Sequence, residues 1–278
     1  MYLNRLDQWV KHELKCRHYL RYCDDFVLLS HDRDQLLTWR DRIETCLRDE
    51  LKLELNAREH LAPVANGVDF LGYIVRRDYR LVRRRVVGHL RSKLEAFEAQ
   101  LVRTVPGVRW YRFDEAVLDR LATTLSSYLG HFKLANTWNL WASVWRQFEF
   151  LSQYFAFDAW HWKLIGKYQT PKACRRVRDQ YRYFRWRFPD DVLFFQVGRF
   201  MECYDIGSPE WPLWLGLKRM GRNRRGARYG FPVSHTARHL RTVLKRGIGV
   251  TLIHEHERYG HGIKSRAPVW RYSPAEQV

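Results

Sequence analysis

Residues 192 to 205 read VLFFQVGRFMECYD. The run from Val192 to Val197 is apolar except for Gln196, and Gly198 closes it, which predicts a buried strand with a turn behind it. Beyond the turn, Phe200 and Glu202 stand two residues apart. Working outward, Lys218 to Arg228 is a loop rich in Gly and Arg. Ser234 is placed to cap a helix that runs to Arg246, with Gly247 as its stop. Gly249 to His254 reads as a second strand. On the upstream side, Lys172 to Arg187 interleaves seven basic residues with Tyr181, Tyr183, Phe184 and Trp186 around one acid, Asp179.

This pattern has a legible chemistry. A Phe can wedge into or stack on an unpaired base, and a Glu can hydrogen-bond a base edge. A phenylalanine packed in a core would give the same pattern, so the residues alone leave both readings open for Phe200. Arg182, Arg185 and Arg187 combine charge with stacking surface, which suits a track along a phosphate backbone. Arg222, Arg224 and Arg225 could line the same duplex. His254, His256 and His261 do not match the H-E-x-x-H zinc helix, and packing or surface roles suit them better.

The segment from about 180 to 272 resembles the N-terminal mismatch-recognition domain of MutS. The resemblance rests on Gly198, Phe200 and Glu202, then on Gly230-Phe231-Pro232 with Ser234-His235. It continues through Leu240, Val243 and Leu244 and through GIGVTLIHE at 247 to 255. It implies that Phe200 stacks on a distorted base and that Glu202 bonds it. Arg199 stands where that family usually has Asp, which adds charge beside the proposed wedge. Nothing resembles that family's ATPase or clamp parts, so no repair signalling is implied.

A second stretch, His18 to Ser30, reads HYLRYCDDFVLLS. Two apolar or aromatic runs flank Cys23-Asp24-Asp25 and predict a tight β-hairpin. Adjacent carboxylates are costly unless a cation neutralises them, and hard divalent ions take carboxylate oxygens. An ordinary polar turn would also use Asp. Asp32 is placed to cap a long amphipathic helix carrying Leu36, Ile43, Leu47 and Leu51. Asn66-Gly67 marks a turn before the strand FLGYIV, Phe70 to Val75.

Tyr22-Cys23-Asp24-Asp25-Phe26 resembles the Tyr-X-Asp-Asp signature of bacterial retroelement reverse transcriptases of the group II intron or diversity-generating type. Phe70-Leu71-Gly72 is similar to their primer grip, and Tyr2-Leu3-Asn4-Arg5-Leu6-Asp7 to the helix before the signature. The resemblance implies that Asp24 is a catalytic metal ligand and that Asp25 assists it, the two holding Mg²⁺ or Mn²⁺ if a complete site is assembled, and that Phe70, Leu71 and Gly72 support the primer end. Ser127 to Trp138, SYLGHFKLANTW, is similar to thumb segments of the same enzymes. The upstream catalytic aspartate and the fingers of that family have no counterpart here. Only Asp7 and Glu13 precede the hairpin among acids, both in the opening helix. The start at Met1 reads as though a larger domain had been cut.

Composition frames these readings. The chain has 278 residues, 46% of them hydrophobic, with 12 Trp, 15 Tyr and 15 Phe, which is enough for a real core. A net charge of +19 points to phosphate-bearing partners. Five irregularly spaced cysteines suit a reducing cytoplasm rather than a disulfide framework. No run approaches the roughly 20 apolar residues of a membrane span, and no leader is visible.

The expected architecture is α+β. A partial palm would occupy 1–85, a helical thumb 86–165, a basic linker or helix 166–188 and a small mixed α/β module 189–278. The expected function is a reverse-transcriptase-family protein that binds a primer–template RNA/DNA duplex and is inactive alone, with a missing N-terminal fragment as partner. The alternatives are a non-catalytic nucleic-acid-binding module with mismatch-like recognition, and a non-functional remnant.

Overall fold

The computed structural model describes residues 2–56, 59–171, 173–204, 211–220, 228–258 and 263–274. The chain divides into two compact units, Met1–Arg83 and Arg84–Val278. Arg222, Arg224, Arg225 and His261 lie outside the described residues.

In the first unit, α1 (Asn4–His12) leads into a hairpin of β1 (His18–Tyr22) and β2 (Asp25–Leu29), followed by α2 (Arg33–Leu51). Asp32 caps α2, its Oδ1 accepting from the backbone N–H of Asp34 and Gln35. Leu6 and Val10 of α1 bury against Trp39, Ile43, Leu47 and Leu51 of α2, and Tyr19, Phe26 and Leu28 of the hairpin pack on that core. A small antiparallel sheet follows: β3 (Val68–Phe70), β4 (Tyr73–Val75) and β5 (Arg80–Val82). The expected single strand Phe70 to Val75 is thus two strands. Leu71 and Gly72 both take positive φ, +51° and +89°, and turn the chain back so that Phe70 pairs with Tyr73.

The second unit begins with α3 (Arg84–Leu101), the hairpin β6 (Val102–Val105) and β7 (Val108–Arg112), and α4 (Glu115–Phe132). Then come α5 (Trp138–Gln147), the short α6 (Leu151–Tyr154), and the hairpin β8 (Phe155–Asp158) and β9 (Lys163–Gly166). α7 (Val177–Arg187), β10 (Val192–Val197), β11 (Phe200–Tyr204) and α8 (Trp211–Trp214) precede β12 (Arg228–Pro232), α9 (Thr236–Leu244), β13 (Val250–Arg258) and β14 (Lys264–Pro274). The expected thumb therefore carries two hairpins among its helices. Its α4 buries Leu118, Leu121, Leu125, Leu129 and Phe132 at helical spacing. No described helix is long and apolar enough to cross a membrane.

The fold is α+β, and the second unit is built on a seven-stranded mixed sheet ordered β12-β11-β10-β13-β14-β7-β6. β10 and β13 run parallel at its centre, while the other neighbours are antiparallel. This centre explains VLFFQV, because a strand covered on both faces is apolar at successive positions. Val192 and Phe194 pack with Val243 of α9, Phe231 and Leu252 on one side. On the other side Phe195 meets Tyr181 and Phe184 of α7, with ring centroids 5.4 and 6.5 Å apart. Burying a phenylalanine in this way contributes about 1.5–3 kcal/mol.

Ser234 does not cap α9. It lies within a single 3₁₀ turn, Val233–His235, and the helix starts at Thr236. The Thr236 hydroxyl donates to the Val233 carbonyl, 2.6 Å away, so the preceding turn organises the entry. Gly247 does end the segment, with φ +71°.

Candidate nucleic-acid interface

Val197 pairs with Phe200 across a two-residue turn, Gly198-Arg199. Gly198 has φ +60°. Arg199 keeps a negative φ, so glycine fills the one position that a side chain would strain. The main-chain groups of this turn are taken up by surrounding residues. The Gly198 N–H donates to Glu255 Oε1 at 3.1 Å, and the Gly198 carbonyl accepts from Gln196 Nε2 at 3.0 Å. The Arg199 carbonyl accepts from the Val233 N–H at 3.0 Å.

The turn presents two side chains. Arg199 is exposed, and Phe200 is 39% exposed although the next four residues of β11 are buried. Met201 enters the core beside Phe194 and Phe231. Strand alternation puts Phe200, Glu202 and Tyr204 on the opposite face. There α7 covers the Tyr204 end, with Tyr181 4.9 Å from the Tyr204 ring centroid and the Arg178 guanidinium 5.8 Å from it. Phe200 is left partly open.

Glu202 is buried rather than presented, at 4% exposure. Its Oε2 accepts from the Tyr204 hydroxyl at 2.8 Å, and Arg228 Nη1 lies 3.5 Å from Oε1. Burial and the adjacent Glu202 carboxylate push the Tyr204 hydroxyl well above its usual pKa, so it stays a donor. Bonding a base edge would require Glu202 to exchange one of these partners.

The basic helix divides by role. Arg182 is exposed and Trp186 is 72% exposed, one helical turn apart on α7. The Arg187 guanidinium lies 4.6 Å from the centroid of Trp186 and 5.1 Å from that of Tyr183. Arg185 turns inward and donates to the carbonyls of Pro189 and Asp191. It closes the loop between α7 and β10.

A group of residues that the sequence did not single out sits behind the Gly198 turn. Glu255 of β13 is held by Arg266 of β14 at 2.7 Å and by Lys264 at 3.0 Å. Burial opposes its ionisation, but the Gly198 N–H and these two cations hold the carboxyl below the usual range. Arg266 also donates to the Gln196 carbonyl at 2.6 Å and to Gln180 Oε1 at 3.2 Å. The one available signal was alternation along HEHE, which sets Glu255 against its histidine neighbours. His254 is half-buried, with its ring pKa lowered by that burial, and His256 pairs with Glu115 at 3.0 Å.

In the first unit the Asp-Asp hairpin has the expected form. Tyr22 pairs with Asp25, so Cys23 and Asp24 make the turn, with Cys23 at φ +53°. Both carboxylates are exposed. Asp7 is held elsewhere: Arg21 forks onto it at 2.6 and 2.5 Å, and the Tyr19 hydroxyl donates to it at 2.8 Å. No group of three metal-ligating side chains occurs among the described residues. Asp24 and Asp25 therefore offer two adjacent exposed carboxylates, and no third ligand joins them among the described residues. Phe70, Leu71 and Gly72 belong to a different sheet from the Asp-Asp hairpin.

A family model, MutS domain I, matches residues 175–273. That span takes in α7 and β10 through β14, with the Gly198 turn, Phe200 and Glu202, and makes this part of the chain a MutS-domain-I-like module. No curated protein matches the chain.

Proposed function

We propose that this chain binds duplex nucleic acid, DNA foremost, through its MutS-domain-I-like module, with Phe200 stacking on a base where the duplex is distorted. The observation that carries this is the half-open Phe200 at the head of an otherwise buried strand, set on a braced turn beside the exposed Arg199. A phenylalanine kept there forgoes burial that the same strand gives to its neighbours. Arg182 and Trp186 add a cation and a stacking ring on α7, and a chain charge of +19 favours a polyanion.

The test is fluorescence anisotropy with matched, single-mismatch and single-bulge duplexes over a series of salt concentrations. The expected result is salt-sensitive binding to all three, tighter for the distorted two. Phe200→Ala should weaken the distorted duplexes more than the matched one. Equal losses on all three would remove the sensing role and leave a general duplex binder.

A second reading is favoured by the Asp24-Asp25 turn on its apolar hairpin: the first unit is part of a reverse-transcriptase palm, and the duplex held is a primer–template RNA/DNA hybrid. Mg²⁺ or Mn²⁺ binding would then need a further carboxylate from another polypeptide segment. The chain alone should not extend a primer on an RNA template. Extension that disappears in Asp24→Ala would make it a polymerase in its own right, and restoration by an added N-terminal fragment would make it one part of a split enzyme.

A further inference from the structure

Gly198-Arg199 would be an ordinary two-residue turn were it not gripped from two neighbouring strands. β10 and β13 pair only as far as Phe195 and Ile253. Beyond that point side chains take over from the ladder. Gln196 Oε1 accepts from the Glu255 N–H at 3.3 Å, while its Nε2 donates to the Gly198 carbonyl at 3.0 Å. Glu255 Oε1 returns the bond from across the gap by accepting from the Gly198 N–H at 3.1 Å. Gln196 and Glu255 together hold both the N–H and the carbonyl of Gly198.

This bracket is fixed from behind. Arg266 is 3% exposed and bonds Glu255, the Gln196 carbonyl and Gln180. Lys264 takes the other Glu255 oxygen. Charge-assisted bonds of this kind are stronger and more directional than neutral ones. The braced turn is followed directly by Phe200, two residues after the gripped glycine.

We propose that Glu255 is a positioning residue, which through the Gly198 N–H sets the angle at which Phe200 meets a distorted duplex. The proposal rests on the reading of Phe200 given above. Glu255 need not touch nucleic acid. Its effect is to make the wedge rigid before binding, so that no ordering has to accompany stacking.

The experiment measures, for the full chain, the ratio of matched to mismatched duplex Kd, together with the melting temperature. Glu255→Ala should shrink the mismatch preference by about 3- to 10-fold, as coupled neighbours do, and leave matched binding nearly unchanged. Glu255→Gln, which keeps an acceptor for the Gly198 N–H, should restore most of the preference. The double variant Phe200→Ala/Glu255→Ala should discriminate no worse than Phe200→Ala alone. If Glu255→Ala melts near the assay temperature, Gln196→Ala removes the other arm of the bracket, keeps the Glu255–Arg266 pair, and must give the same loss. Full mismatch preference in the folded Glu255→Ala or Gln196→Ala protein would overturn the positioning role. A Phe200→Ala protein that discriminates normally would instead overturn the reading of Phe200 itself.

Discussion

Arg271 of β14 forks onto Asp191 at the start of β10, Nε to Oδ2 at 2.7 Å and Nη2 to Oδ1 at 2.9 Å. Asp191 is 3% exposed, and the Thr251 hydroxyl donates to it from β13 at 2.5 Å. Arg271 reaches further, to Gln153 of α6. One bidentate pair thus ties three neighbouring strands to a residue from the segment expected to be a separate thumb. Removing one partner leaves the other charge buried. Arg271→Ala should therefore lower stability by about 3–5 kcal/mol, read as a reduced midpoint in urea. A loss below about 1 kcal/mol would mean that the pair behaves as a surface bridge.

Asp7 and Arg21 give the first unit a defined acid response. The Arg21 guanidinium, with the Tyr19 hydroxyl, outweighs burial and holds the Asp7 carboxyl below its usual pKa. The folded form then binds fewer protons than the unfolded one. Its contribution is complete above the unfolded carboxylate value, about 3.9, and is lost as pH falls through the depressed folded value. Thermal melts of the chain should be flat in this respect from pH 7 to about 5 and fall below that. Asp7→Asn should lower the midpoint at pH 7 and flatten the acid limb. An unchanged acid limb would place the titrating group elsewhere.

Leu71 holds φ +51° in a turn whose next residue is Gly72 at +89°. A γ-branched side chain pays for that left-handed backbone, whereas Asn-Gly fits it. Leu71 is 38% exposed, so little apolar burial would be lost by replacing it. Leu71→Asn should stabilise the chain by about 1 kcal/mol, seen as a higher melting temperature. If the leucine is kept for contact with a primer strand, the same variant should also bind an RNA/DNA hybrid more weakly. A lower melting temperature would show that the Leu71 side chain packs more than its exposure implies.

How far the sequence could be read followed how local each signal was. VLFFQV, the Cys23-Asp24 turn and the Asp32 cap are decided within a few residues, and the structure has them where the sequence puts them. FLGYIV misled because its glycine lies inside an apolar run, and the positive φ at both Leu71 and Gly72 turns it into a hairpin. Val102 to Arg112 was harder. Pro106-Gly107 makes the turn of the β6–β7 hairpin, and β7 also pairs with the distant β14, where Tyr111 faces Arg271. The bracket behind Phe200 was illegible for the same reason, since Gln196, Glu255 and Arg266 converge from three strands. In the first unit Asp24 and Asp25 were legible as a turn. Whether they bind metal depends on a third carboxylate that the described residues do not bring to them.

Arg182 and Arg185, three residues apart on α7, should separate binding from stability. Arg182 is exposed and one helical turn from Trp186, so its loss should weaken matched and mismatched duplexes alike. It should also reduce the slope of log K against log salt by about 1, with the melting temperature unmoved. Arg185 instead donates to the carbonyls of Pro189 and Asp191. Arg185→Ala leaves those groups without their donor at the entry to β10 and should cost about 1–3 kcal/mol of stability, with the salt slope kept. Binding titrations and melts on the two single variants decide the matter. The opposite assignment, with Arg185 carrying the salt dependence, would move the phosphate track from the open side of α7 to the loop that joins it to the sheet.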